Sequence, residues 1–236
     1  EDLLAHPAKV LDVIKDEMTS VREKYADDRR TRVFKGKIGE FSEEDLVADE
    51  ATIVTITEAG YIKRQAPSTF RMQARGGKGV SGMTTKEEDT VSHIFYTKTH
   101  DNILFFTDRG RAFQLKVWEI PEATRISKGQ AVVNLINIDS GEKTTAILTI
   151  RPKKDAIKYL YMCTWQGNVK KTAIEEYASI RRNGLISIKL DQGDTLGWVC
   201  PTTGENDLII ISYNGQSIRF KEKDIRPTHR DTSGVR

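Results

Sequence analysis

A chain of 236 residues has room for one large or two small domains, and 38% hydrophobic against 30% charged residues suits a β-rich protein with much surface. The net charge of +3 is small for a nucleic-acid binder, so any basic face must be local and balanced by acids elsewhere. No apolar run reaches the length of a membrane span, no signal peptide opens the chain, and Cys163 and Cys200, both in apolar runs, read as reduced core thiols.

Residues 1–32 predict a helix. Pro7 suits the first turn. Leu4, Leu11, Ile14, Met18, Val21 and Tyr25 form a heptad seam, which wants a partner helix. About three heptads are too short to be stable alone, so the helix is expected to pack on a domain outside this chain. The polar run Asp27–Arg32 marks its exit. The missing initiator Met also suggests a piece of a longer protein.

From residue 33 the period changes. Short β-branched runs begin, with turns between them. Thr57-Glu58-Ala59-Gly60, Thr107-Asp108-Arg109-Gly110, Thr164-Trp165-Gln166-Gly167 and Ser212-Tyr213-Asn214-Gly215 share one pattern of hydroxyl, two residues and glycine. These predict hairpins in which glycine supplies a positive φ and the hydroxyl bonds the turn backbone. Ten residues after each turn glycine stands a large apolar residue: Phe70, Ile120, Tyr177 and Ile225. A second glycine follows, Gly79, Gly129, Gly184 and Gly234, at 19, 19, 17 and 19 residues from the first. The turn glycines are spaced 50, 57 and 48 apart. Units near 50 residues with about four strands predict propeller-like blades, an all-β fold in which neighbours stack because one blade cannot bury both faces. Three full repeats and the start of a fourth are present over 33–236, so an open arc is expected that further blades close or nearly close.

The most distinctive stretch is Gln73-Ala74-Arg75-Gly76-Gly77-Lys78-Gly79. Glycines let the backbone approach a ligand, and successive N–H groups form an anion-binding nest. Arg75 and Lys78 add mobile charge, with Arg71 just upstream. The loop suits phosphate, a polymer of phosphates above all. Cations also recur in register. The strand leaving each turn carries Lys63 and Arg64, Arg111 and Lys116, Lys170 and Lys171, Arg219 and Lys221. The segment before each second glycine adds Arg71, Arg75 and Lys78, then Arg125 and Lys128, then Arg181 and Arg182, then Arg226, His229 and Arg230. Stacked blades would bring these to one side as a basic rim. Phe95, Tyr96, Phe105, Phe106, Tyr159, Tyr161, Trp165 and Trp198 mostly lie in apolar strands and read as core, not as a base-stacking platform. A reader of the duplex backbone fits better than a base reader. None of the four histidines has a Cys, Asp or Glu at metal-ligand spacing, and no nucleotide-binding loop ends in Gly-Lys-Ser/Thr. A catalytic set, a metal site and a cofactor site are therefore not expected in this chain.

On these residues the whole chain resembles the A-subunit family of bacterial DNA gyrase. Gln73 to Gly79 is similar to that family's heptapeptide box, Gln-[Arg/Lys]-Arg-Gly-Gly-[Arg/Lys]-Gly, with Ala74 departing at one basic position. The repeats are similar to the blades of its C-terminal β-pinwheel. The opening helix, with Leu3-Leu4 and the run from Tyr25 to Thr31, looks like the end of the breakage–reunion domain and its linker. The resemblance implies a DNA-wrapping domain, itself non-catalytic, within an ATP-dependent type II topoisomerase. It implies a catalytic tyrosine upstream of this chain and ATP and Mg sites on a partner B subunit. It also implies an A2B2 heterotetramer whose A subunits join through upstream domains, a bacterial cytoplasmic, nucleoid-associated setting, and a box loop that bridges first and last blades. The A-type subunit of topoisomerase IV, with a similar pinwheel and a degraded box, is the alternative from the same class. A propeller-type scaffold for acidic proteins is the alternative from another.

Overall fold

The computed structural model describes residues 7–27, 31, 43–70, 75–77, 79, 83, 89–151 and 156–236. Two compact units are present, Glu1–Ser42 and Glu43–Arg236. In the first, α1 spans Pro7–Tyr25, with Pro at its start and Arg22 and Lys24 in its last turn, where cations suit the negative end of the helix dipole. Leu11, Ile14, Met18, Val21 and Tyr25 are all exposed along it, so the heptad seam lies open. Leu4 lies outside the described residues.

The second unit is built of blades, as the repeat predicts. Blade 1 contains β1 (Ala51–Thr57), β2 (Tyr61–Gln65) and β3 (Val91–Lys98). Blade 2 contains β4 (Asn102–Thr107), β5 (Arg111–Lys116) and β7 (Thr144–Ile150). Blade 3 contains β8 (Tyr159–Thr164), β9 (Val169–Ala173) and β11 (Leu196–Thr202), and blade 4 the pair β12 (Asp207–Ile211) and β13 (Ser217–Lys221). The two short strands β6 (Gln130–Ala131) and β10 (Leu185–Ile186) do not stay in their own repeats. The sheet orders are β3-β1-β2-β6 and β10-β5-β4-β7, so each blade borrows an edge strand from the repeat that follows it. Val235 bridges to Val169 in the same way, extending the exchange to blade 3. All these pairings are antiparallel.

The four turns close as the hydroxyl-glycine pattern predicts. The N–H of each turn glycine donates to the carbonyl of its Thr or Ser at 2.9–3.0 Å. The hydroxyl accepts from the N–H just past the glycine: Tyr61 to Thr57, Arg111 to Thr107, Asn168 to Thr164 and Gln216 to Ser212, at 3.1–3.2 Å. The apolar residue ten positions later lies at the end of a single 3-10 turn in every repeat, and Ile120 and Tyr177 are buried there.

Strand β4 explains why the run Ile103-Leu104-Phe105-Phe106 is apolar throughout. A strand covered on both faces needs apolar side chains at every position. Ile103 and Phe105 join Val54, Ile56 and Ile62 in the core between blades 1 and 2. Leu104 and Phe106 face the other way, with Leu160, Met162, Tyr177 and Val199, in the core between blades 2 and 3. Tyr161 and Cys163 then meet Leu208, Ile210 and Phe220 between blades 3 and 4. Strand β7 lies against β11, so blades 2 and 3 meet along their third strands, at the edge opposite the borrowed strand of blade 2.

The second glycines make the exchange possible. A Cβ on Gly129 would stand 2.4 Å from the Ile62 carbonyl oxygen, and one on Gly234 would stand 2.4 Å from that of Val169. Both have positive φ, 79° and 88°. Only glycine lets the crossing chain come this close to the strand it joins.

Candidate nucleic-acid interface

The outer edge is reached by the loops before the second glycines, and the structure divides the cations of the sequence into two groups. One group points inward. Lys63 and Lys170 are buried, at 0% and 1% exposure. The Lys63 ammonium donates to the carbonyls of Arg125 (2.7 Å), Ser127 (2.9 Å) and Thr124 (3.3 Å). That of Lys170 donates to the carbonyls of Ser187 (2.8 Å), Thr232 (3.1 Å) and Arg230. Lys171 is also buried; it donates to the Glu222 carbonyl at 2.8 Å and lies over the Tyr159 ring. These three lysines are withdrawn from the DNA-contacting set. They lie on the strands that receive the borrowed chain, so the next repeat covers them. Burial pushes Lys63 below the ordinary lysine value and pushes Lys170 down to about 8, against the pull of Glu176 and Asp231. Arg64 is half-buried, with Nε donating to the Ile120 carbonyl at 2.7 Å and Nη1 3.6 Å from Glu122.

Two further cations are neutralised by carboxylates. Arg111 forms a two-pronged pair with Glu142 and reaches Asp139 at 3.3 Å, with its guanidinium 4.9 Å from the centre of the Phe113 ring. Burial works to raise the Glu142 pKa, but bonds from Arg111 and Thr107 outweigh it, and the carboxyl titrates below its usual value. Lys116 lies 3.2 Å from Glu44.

The other group faces outward. Arg75, Gly76, Gly77 and Gly79 are exposed, and Gly76 and Gly79 have φ of 83° and 74°. No heavy atom of the described residues comes within 4 Å of a Cβ built on Gly79, unlike its counterparts Gly129, Gly184 and Gly234. Arg71, Gln73 and Lys78, like Ala74, lie outside the described residues. Arg125 and Lys128 are half-buried on the loop before Gly129, with the Lys128 ammonium 3.6 Å from the centre of the Tyr61 ring. Arg181 and Arg182 are exposed before Gly184, and Arg226, His229 and Arg230 before Gly234. Arg219 and Lys221 are exposed on β13, with Arg219 paired to Asp207. The outward group therefore concentrates in the loops that approach the borrowed strands.

Two readings of apolar residues need correction. Trp165 and Trp198 are not core: they are 68% and 50% exposed and pack against each other with ring centroids 4.8 Å apart. Trp165 sits at a turn tip, where Glu58 and Tyr213 are also exposed, so its turn position was the available signal. Tyr96 is likewise exposed. Cys163 is a buried free thiol, but Cys200 is exposed. Among the described residues, no group of three or more His, Cys, Asp or Glu could hold a metal ion, and no helix is long and apolar enough to cross a membrane.

The family model described as DNA gyrase C-terminal domain, beta-propeller, matches residues 51–98, 101–151, 158–196 and 206–236. The chain belongs to the DNA gyrase A C-terminal domain family. These segments begin at or one residue before β1, β4, β8 and β12, and β11 of blade 3 lies almost wholly beyond the third of them. The DNA gyrase A subunit of Clostridium acetobutylicum is 44% identical over 236 residues, covering 100% of this chain. That of Mycolicibacterium smegmatis is 44% identical over 237 residues, also covering 100% of the chain. The chain spans 28% of the length of each of these relatives. Among solved structures, the C-terminal domain of DNA topoisomerase IV superposes with a TM-score of 0.69 at 29% identity, over 80% of this chain and 57% of that one. A DNA gyrase A C-terminal domain gives 0.59 at 26% identity, over 79% and 59%. The propeller-like β-pinwheel predicted from the repeats is thus the fold of both.

Proposed function

We propose that this chain binds duplex DNA and wraps it, as the C-terminal part of the A subunit of an ATP-dependent type II topoisomerase. The observation that carries the reading is the recurrence of cations in the loops before the second glycines: Arg75, Arg181, Arg182, Arg226 and Arg230 exposed, and Arg125 and Lys128 half-buried. Spaced along the outer edge of successive blades, they offer phosphate contacts over a curved path. Such contacts are sequence-tolerant and position the duplex without reading it. Bending a 20–30 bp site costs roughly 1–6 kcal/mol, which contacts spread over several blades offset. The box loop, Gln73, Arg75, Gly76, Gly77, Lys78 and Gly79 with Arg71 upstream, holds one end of the path. Arg219 and Lys221 extend the path on blade 4. A wrap of fixed hand fixes the sign of the crossing presented for strand passage, so the complete enzyme introduces negative supercoils.

On this reading residues 1–32 are the end of the breakage–reunion domain and its linker, and the open seam of α1 packs on that domain. ATP and Mg act on the partner B subunit of an A2B2 assembly, in the bacterial cytoplasm at the nucleoid. The test is supercoiling of relaxed plasmid by the full-length protein with its B partner and ATP, with relaxation as control. Alanine at all of Gln73–Gly79 is expected to abolish supercoiling and spare relaxation. Supercoiling by that variant would remove the function from the loop. Wild-type protein that only relaxes or decatenates would assign the chain to topoisomerase IV.

A further inference from the structure

We infer that Lys63 and Lys170 are positioning residues for DNA binding, each holding the main chain of the next repeat's rim loop so that its arginine faces outward. The inference rests on the DNA-binding reading above. Both lysines stand three residues after a turn glycine, Gly60 and Gly167, on the strand that receives the borrowed chain. Both ammonium groups fill a cup of main-chain carbonyls. Two of those carbonyls hold the same places in each repeat. They belong to the residues four and two positions before the second glycine: Arg125 and Ser127 before Gly129, Arg230 and Thr232 before Gly234.

The carbonyl each lysine holds is thus that of the arginine whose side chain serves the rim. Around it the loop is registered by one further bond in each repeat, Ala123 N–H to the Arg64 carbonyl at 3.1 Å and Thr228 N–H to the Lys171 carbonyl at 2.8 Å. In the fourth repeat the Arg230 N–H also donates to the Glu176 carboxylate at 3.0 Å, so its main chain is gripped on both sides while its side chain stays exposed. The chemistry explains the residue type. A loop without strand or helix pairing leaves its carbonyls in need of donors, and an ammonium brings three. Blade 2 does without the device: Phe113 occupies the same place after Gly110, and a Cβ on Gly184 would stand 2.7 Å from its ring. Arg75 stands four before Gly79, the same offset as Arg125 and Arg230. The position held by the lysines is therefore the one the box devotes to its own arginine.

The test measures binding of a labelled random-sequence duplex by the full-length protein across a salt series, with Lys63→Met, Lys170→Met, Arg125→Ala and Arg230→Ala. A residue that touches a phosphate lowers the slope of log K against log[salt] by about 0.9 when removed. Each arginine variant is expected to show that loss. Each lysine variant is expected to weaken binding about tenfold with the slope unchanged, because the arginine still reaches its phosphate in the complex and only the cost of ordering its loop is added. In an Arg125→Ala background, Lys63→Met is expected to add little, because the side chain it positions is gone. That cycle separates positioning from general loss of structure, which would be additive. A slope loss in the lysine variants, unchanged affinity, or additivity with Arg125→Ala would each overturn the inference. Wild-type protein that binds no duplex in low salt overturns the DNA reading itself, a result distinct from wild-type binding that the lysine variants leave untouched.

Discussion

Replacing Gly129 by alanine tests the strand exchange on which the blades depend. Gly60 supplies a matched control: its φ is 80°, against 79° for Gly129. Alanine at either position pays the left-handed backbone strain of an L-residue, roughly 1–2 kcal/mol. At Gly60 nothing described lies within 4 Å of the new methyl, so strain is the whole effect. At Gly129 the methyl would stand 2.4 Å from the Ile62 oxygen and 3.0 Å from Lys63 Cβ, both on a central strand. The crossing chain must retreat, and the pairings Tyr61↔Ala131 and Ile62↔Gln130 weaken with it. Two or three backbone bonds at about 1 kcal/mol each bring the total to roughly 3–5 kcal/mol. Urea denaturation of the two variants beside wild type measures both numbers. Gly60→Ala is expected to cost about 1–2 kcal/mol and Gly129→Ala at least twice that. Equal costs would refute the claim that close approach, and not φ alone, fixes glycine at the second site.

Lys170 gives a pH signature. Held down at about 8 in the fold and ordinarily at 10.5, it is charged in both states below pH 8. Between 8 and 10.5 the unfolded chain binds the extra proton, so this group adds stability as pH rises through that window. The wild-type advantage over Lys170→Met is expected to grow by up to about 2 kcal/mol from pH 7.5 to 9.5; denaturation midpoints that move in parallel would contradict it. Phe105→Ala, in the core between blades 1 and 2, is expected to cost about 3–5 kcal/mol by the same denaturation. Ile209→Ala, on the exposed face of β12, should stay within about 0.5 kcal/mol. Arg181→Ala and Arg182→Ala should each lower the salt slope of duplex binding by about 0.9, measured by fluorescence anisotropy, whereas Lys171→Met should leave it unchanged.

The turns and blades were legible because their determinants are local. A hydroxyl accepts the N–H just past the glycine, and the glycine takes the positive φ, so four short motifs mark four hairpins. The apolar run holding Phe105 and Phe106 read as core, and it is the strand β4 covered on both faces. The exchange of β6 and β10 was not legible, because a two-residue strand carries no period and its partner lies a repeat away. The inward lysines were misread for a related reason. Charge alone assigns a lysine to the surface, yet Lys63 and Lys170 share the place of the buried Phe113 after the turn glycine. Register with that phenylalanine was the signal. Trp165 and Trp198 show the reverse error: aromatic character suggested core, while the turn position of Trp165 pointed to solvent.

The most direct measurement is the linking number of a nicked plasmid sealed by ligase while bound to the full-length protein. A duplex wrapped along the outward cations leaves topoisomers shifted in one direction only, in proportion to bound protein. The account predicts that shift, and predicts its loss when Arg75, Arg125, Arg181 and Arg182 are all changed to alanine. Sealed circles with the same distribution as protein-free plasmid, at protein levels that saturate binding, would contradict it.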